Sequence, residues 1–514
     1  MVRTSAGGMV VSDVPARLDR LAWSPFHSRL VVALGAVWVL DGFEITIASN
    51  IGEQLAEPGT LELSPSEIGL LATFYLLGQA VGALLFGLLA DRFGRRPLFF
   101  VTLGVYMLGS VLTAAIFGVG ESTLVALYLT RFVAGMGIGG EYTAINSMID
   151  ELIPSTHRGR ADIVVNGTYW AGAALAGAVQ LPLLSGAIDP AYDWRIALLI
   201  GPVLAIGVWY LRRSIPESPR WQLLHGQADA ASRSIRLIEE EITTSGGSLP
   251  ALRDDERIFL NPLRRAGYWR LLMVLFRRYP GRSVLSATLM ITQSVLYNAI
   301  FFSYASVLVT FFEVDQDRTA IYIVPFALGN LLGPICLGRL FDRIGRRRML
   351  ARTYGLAGIL LFGSAFAFRA GSFTATTQTL VWCVIFFFAS AGASAAYLTI
   401  SEVFPQEVRG KAIAVFFAIT QVFGAGAPYL FGSLIDRAYP DRGALFVGYL
   451  GCAALMVLGA VVAQWLAVDA ENKMLEHFAP PLSLSPRPAD QGAPPSGSGY
   501  ADAGGVGRPG PARP

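Results

Sequence analysis

Charge is scarce in this sequence. Of its 514 residues only 15% are Asp, Glu, Lys or Arg, where a soluble domain carries roughly 25%, and the shortfall excludes an ordinary soluble globular protein. Lysine is almost missing, because every basic residue except Lys411 and Lys473 is arginine. Cysteine is rare as well. Cys336, Cys383 and Cys452 all fall in apolar runs, so no disulfide framework is implied. The four histidines (His27, His157, His225 and His477) lie outside those runs and show no metal-ligand spacing. A phosphate-binding loop is also missing, which excludes ATP as a driver. Enzymatic activity, a cofactor, a metal and a nucleic-acid partner therefore have no support.

What the chain does have is apolar length. It is 53% hydrophobic with a mean hydropathy of +0.51, and runs of about 20 apolar residues cross a bilayer core as helices. Twelve are expected, at 29–51, 68–90, 98–117, 122–148, 161–186, 193–212, 283–310, 318–337, 349–368, 375–400, 411–435 and 443–467. The first is too long and too poor in a cleavage signal to be a removed signal peptide. The segment 51–67 holds Glu53, Glu57, Glu62 and Glu67 without a basic residue, whereas arginines recur after spans 2, 4, 6, 8 and 10. The positive-inside rule then places both termini in the cytoplasm of a multi-pass plasma-membrane protein.

A repeat fixes the plan. GLLADRFGRRP starts at 87 and GRLFDRIGRRR at 338; ELIPSTHRGRA starts at 151 and EVFPQEVRGKA at 402. Both pairs are offset by 251 residues. The expected organisation is an N-terminal segment (1–28), a six-helix bundle (29–212), a polar connector (213–282) with an amphipathic stretch near 222–241, a second six-helix bundle (283–467) and a tail (468–514). That tail is rich in Pro, Gly, Ala and Ser and is expected to be disordered.

These motifs resemble those of the major facilitator superfamily, an all-α membrane fold of two pseudo-symmetric six-helix bundles, over about residues 15 to 470. PESPRW at 216–221 narrows the resemblance toward the sugar-porter branch and its relatives. The resemblance implies a cytoplasmic gate of ion pairs built from Asp91, Arg95, Arg96, Glu151, Arg158, Glu217 and Arg220. In the second half the corresponding members are Asp342, Arg346, Arg347, Glu402 and Arg409. Charges at helix ends can pair reversibly, so they can hold one of two packings; the competing reading is that the arginines only set topology.

VWVLDGFEITIA, residues 37–48, places Asp41 and Glu44 inside an apolar span. A carboxylate at the bilayer centre costs roughly 2.5–3.5 kcal/mol on insertion scales, so both are expected to face the bundle interior, with Gly42 admitting a neighbouring helix. Arg131 and Glu141 lie in the fourth span. An unpaired buried charge is costly, so an Asp41–Arg131 pair is expected; proton-coupled sugar transporters of the family carry such a pair at matching positions. Glu141, in Gly-Gly-Glu-Tyr, resembles instead the pattern of proton-coupled phosphate and metabolite carriers. Asp41 is expected to carry the proton, with Glu44 and Glu141 as a second proton site or a substrate contact.

By the 251 offset, Asp41, Arg131 and Glu141 correspond to Thr292, Trp382 and Gly392. The second half offers neutral groups instead. Gln293, Tyr297 and Asn298, with Asn330, Tyr397 and Gln421, and Asn166 from the first half, are candidate substrate ligands; each serves equally well as helix–helix glue. Two departures from the sugar-porter pattern leave the substrate open between sugars or polyols and organic acids. Tyr397 replaces the usual Trp of helix 10, and DAENKMLE at 469–476 replaces the PETKG motif. The expected function is proton-coupled uptake of a small polar metabolite by alternating access, as a monomer in the lipid bilayer. Facilitated diffusion, drug/proton antiport and a non-transporting membrane sensor are the alternatives.

Overall fold

A computed structural model of the chain describes residues 3–4, 10–57, 59–183, 188–213, 215–252, 258–260, 268–315, 318–404, 406–435 and 442–467. Twelve long helices dominate these residues. The first six are α1 (Pro25–Asn50), α2 (Pro65–Phe93), α3 (Arg95–Ala114), α4 (Glu121–Leu152), α5 (Ser155–Leu183) and α6 (Pro190–Arg212). The second six are α7 (Pro280–Phe312), α8 (Thr319–Ile344), α9 (Arg346–Arg369), α10 (Ala375–Val403), α11 (Gln406–Ile435) and α12 (Arg442–Leu466).

Among the described residues, eleven of these helices are long and apolar enough to cross a membrane. The remaining one, α5, has 29 residues and is more polar, with Asp162, Asn166 and Gln180 buried inside the protein. Local chemistry sets several ends. Proline opens α1, α2, α6 and α7 at a position where its missing N–H is not needed, and Ser64 with Glu67 forms a capping box on α2.

Small residues bring the helices together, as expected where lipid supplies no hydrophobic drive between them. Gly78 and Gly82 of α2 meet α4, and Gly135 and Gly139 of α4 meet α2. A methyl at any of the four would strike the partner's backbone carbonyl. Gly42 likewise lets α1 touch α5 at the Tyr169 carbonyl. The halves meet along two seams, α2 against α11 and α5 against α8.

The repeated motif has a backbone reason. Gly94 and Gly345, 251 residues apart, have φ of 97° and 101°, a region that disfavours side chains. Each ends one helix and lets the next begin at the following arginine.

Outside the bundles the chain holds more structure than the sequence suggested. The expected amphipathic stretch is a helix at Ala228–Thr244, preceded by a short one at Pro219–Leu224. The N-terminal segment contributes strands Arg3–Thr4 and Val10–Ser12, which form an antiparallel sheet with Ile258–Leu260 of the connector, and a short helix at Val14–Asp19. The tail 468–514 lies outside the described residues.

Candidate functional site

Two acids on one helix meet opposite fates. Asp41 and Glu44 of α1 are both buried. Glu44 is saturated. It accepts from Arg131 Nη1 (2.8 Å), the Tyr106 hydroxyl (3.0 Å) and Ser110 Oγ (3.1 Å), and the Arg131 guanidinium stands 4.7 Å from the Tyr75 ring centre. The expected Asp41–Arg131 pair is therefore not formed; Glu44 takes the arginine. Three residues rotate a helix by about 300°, so the two carboxyls point about 60° apart and only Glu44 faces α3 and the arginine of α4.

Asp41 receives a neutral donor instead, the Tyr142 hydroxyl of α4 at 2.6 Å from Oδ2. Its Oδ1 is buried without a hydrogen-bond partner among the described residues. Glu141, next to Tyr142, pairs with Arg212 Nη2 of α6 at 3.1 Å and accepts from Thr102 at 3.4 Å. Arg212 also donates to the Phe99 carbonyl and lies over the Phe99 ring. Sequence reasoning counted Arg212 among the arginines that set topology and missed this partnership. Its signals were a buried acid without a cation nearby and an arginine closing the run 193–212.

A cavity opens between the halves. Six of the seven candidate substrate ligands line it: Asn166, Gln293, Tyr297, Asn298, Tyr397 and Gln421. Asn330 stands one bond behind, accepting from the Tyr297 hydroxyl at 3.0 Å. Gln421 of α11 donates to Gln79 of α2 across the seam. Gln79 and the aromatic walls other than Tyr297 and Tyr397 were not singled out from sequence; Trp38, Tyr142, Tyr169 and Trp170 contribute to them. Tyr142 joins the two parts of the site, because it lines the cavity while donating to Asp41.

At the arginine-rich end some of the residues expected to form a gate bond to one another, and others find different partners. Arg95 pairs with Glu151 at 2.9 Å. Glu217 accepts from the backbone N–H groups of Arg95 and Arg96, both at 3.1 Å, an anion placed on the N-terminus of α3. Arg158 and Arg220 both approach Asp19 at 3.6 Å, a partner from the N-terminal segment that was not foreseen. In the second half Arg346 is buried and Arg347 Nε donates to the Gln464 carbonyl at 2.6 Å. The side chains of Asp91, Asp342, Glu402 and Arg409 lie outside the described residues.

Known proteins share this architecture. A family model described as sugar (and other) transporter matches residues 33–480. The niacin transporter NiaP of Acinetobacter baylyi is 28% identical, with 81% of this chain and 89% of that protein covered. The putative niacin/nicotinamide transporter NiaP of Bacillus subtilis is 27% identical over 80% and 89%. The solved structure of the proton:xylose symporter XylE bound to 6-bromo-6-deoxy-D-glucose superposes with a TM-score of 0.71 at 18% identity. That match covers 88% of this chain and 98% of the other, and the likeness is one of fold.

Proposed function

The chain belongs to the sugar (and other) transporter family of the major facilitator superfamily; it is a membrane transporter and not an enzyme, and we propose that it moves a small polar metabolite together with a proton by alternating access. One observation carries the coupling. Asp41 is buried, has no cation bonded to it among the described residues, and touches the cavity through a single phenol, Tyr142. Its charge state is then set by solvent access and by what occupies the cavity. Glu44 and Glu141 are each held by an arginine, so their role is to fix helices around the proton site. Arg131, held by Glu44, is not available to an anionic substrate in this arrangement.

Asp41 is one hydrogen bond from the substrate. When the bundles rock and water reaches α1, the carboxyl exchanges its proton; when the cavity closes, Tyr142 is its bonded partner. Substrate seated against Tyr142 alters that bond, and this links the two cargoes. The ion pairs at the arginine-rich end are of a type that can break and re-form, which suits a gate. The arginine-bearing connections support a plasma-membrane orientation with both termini in the cytoplasm.

Reconstitution in proteoliposomes tests the reading, with nicotinate and xylose, the solutes in the relatives' names, as first probes. Asp41→Asn is expected to abolish accumulation driven by a pH gradient while leaving counterflow exchange. Undiminished accumulation by that variant overturns the coupling.

A further inference from the structure

We propose that the central cavity is built for a flat aromatic solute that carries no charge while it sits there, an aromatic amide or an aromatic acid with its carboxyl protonated. The proposal rests on the transport reading above and narrows it to a substrate class.

The walls come first. Nine of the twenty lining residues are aromatic, and they come from both halves: Trp38, Tyr142 and Trp170 on one side, Tyr297, Phe301 and Phe417 on the other, among them. The rings are already set edge to face with one another, Trp38 against Tyr142 at 4.4 Å and Trp170 against Phe301 at 5.8 Å between centroids. Offset and edge-on contacts of this kind are how aromatic faces accept a further ring.

Charge comes second. None of the described lining residues is Asp, Glu, His, Lys or Arg. The two arginines that meet buried acids inside the first half are occupied, Arg131 by Glu44 and Arg212 by Glu141. A carboxylate entering as an anion would find no cation, in a setting where an unpaired buried charge is strongly disfavoured.

The polar groups decide against a sugar. Most of the cavity's amides and hydroxyls are spent on each other. Gln421 bonds Gln79, Asn298 bonds Ser294 at 3.0 Å, Tyr297 bonds Asn330, and Asn166 Nδ2 donates to the Asp162 carbonyl at 2.9 Å. The lining atoms left buried without a partner among the described residues are an acceptor, Asn166 Oδ1, two donors, Gln79 Nε2 and Trp38 Nε1, and one hydroxyl, Ser390 Oγ. A hexose brings several hydroxyls that each need partners. A primary amide or a protonated carboxyl brings one acceptor and a donor, whereas a carboxylate only accepts and leaves Asn166 Oδ1 unmet.

Isothermal titration of the detergent-purified full chain at pH 7.5 tests this with benzamide, benzoate and glucose; benzoate is ionised there. Benzamide is expected to bind at least about tenfold more tightly than either, and Trp170→Leu and Phe417→Leu are each expected to weaken it about tenfold. Either variant suffices if the other does not fold. Equal or tighter binding of glucose or benzoate, no binding of benzamide, or unchanged benzamide affinity in the folded variants overturns the assignment. A preference for glucose would sink the aromatic class and leave the transport reading standing. Benzamide binding without proton-driven accumulation would do the reverse.

Discussion

The two halves repeat one scaffold and fill it with opposite chemistry. The glycines that close α2 on its neighbour, Gly78 and Gly82, recur as Gly329 and Gly333 on α8, and Gly94 recurs as Gly345. The buried charges do not recur. Asp41, Glu44, Arg131, Glu141 and Arg212 correspond at the same offset to Thr292, Val295, Trp382, Gly392 and Ala463. The nest around Glu44 is replaced throughout, with Ala357 and Leu361 where the first half has Tyr106 and Ser110. Where Arg131 stands, the second half packs the buried Trp382 against Tyr304 and Tyr449. Apart from Arg346 at the arginine-rich end, the counterpart of Arg95, the described residues of the second six helices thus close without a buried ion. The charges of the first half are an addition to the fold, and their cost points to function.

The largest effect should come from breaking the added pair. Arg131→Met leaves Glu44 buried against two hydroxyls and is expected to destabilise by about 3–5 kcal/mol, the usual result of removing one partner of a buried pair. Adding Glu44→Val, the residue of the second half, should restore most of the loss, since a matched apolar pair fills that position there. Thermal melting of both variants checks this. A single variant as stable as the parent would mean that the charges are not buried in the way the comparison requires.

Next in size is a position the halves share. Gly94→Ala and Gly345→Ala both place a side chain at positive φ, each expected to cost about 1–3 kcal/mol. Gly94→Ala should cost more, because its Cβ would come to 2.5 Å from Glu217 Oε2 and disturb the cap on α3. Equal melting shifts would show that the cap does not distinguish the halves. On the apolar side, Trp382→Phe removes the indole bond to Ser364 Oγ (3.3 Å) and part of a packed ring, an expected loss of about 1–2 kcal/mol. It should leave the pH dependence of transport unchanged; a shift there would assign coupling to both halves.

The scaffold was legible because it is written in period, spacing and repetition. Apolar length gave the spans, and the common offset gave the two bundles with their paired glycine breaks. The burial of Asp41 and Glu44 followed from cost alone. Which of them meets Arg131 did not, because the answer depends on the rotation of α1 and on Tyr106 and Ser110 arriving from α3, contacts between segments more than 60 residues apart. Arg212 was hidden by its position at the end of an apolar run, where a topological arginine looks the same. The polar ligands of the cavity were visible as isolated amides in spans. Apart from Tyr297 and Tyr397 its aromatic walls were not, since a Trp or Phe in a membrane helix reads equally as lipid contact.

The smallest expected effect lies outside both bundles, where opposed charges meet without being sealed in. Arg17 and Arg20 of the N-terminal segment both bond Glu239 on the connector helix. Burial pushes the Glu239 carboxyl up, but the hydrogen bonds from Arg17 and Arg20 outweigh it and leave the group below its ordinary value of 4.5. A carboxyl lowered on folding contributes stability that is complete above the unfolded value and is lost as pH falls through the folded one. Glu239→Gln is therefore expected to lower stability by up to about 1 kcal/mol at pH 7, with the gap to the parent closing as the pH falls below 4.5. Added salt should shrink the same gap, because partly exposed pairs are screened, whereas the Arg131–Glu44 pair, sealed in the bundle, should hardly respond. A Glu239→Gln loss as large and as salt-resistant as that of Arg131→Met would erase the distinction between charges that gather at the mouth of the protein and charges kept inside one half of it.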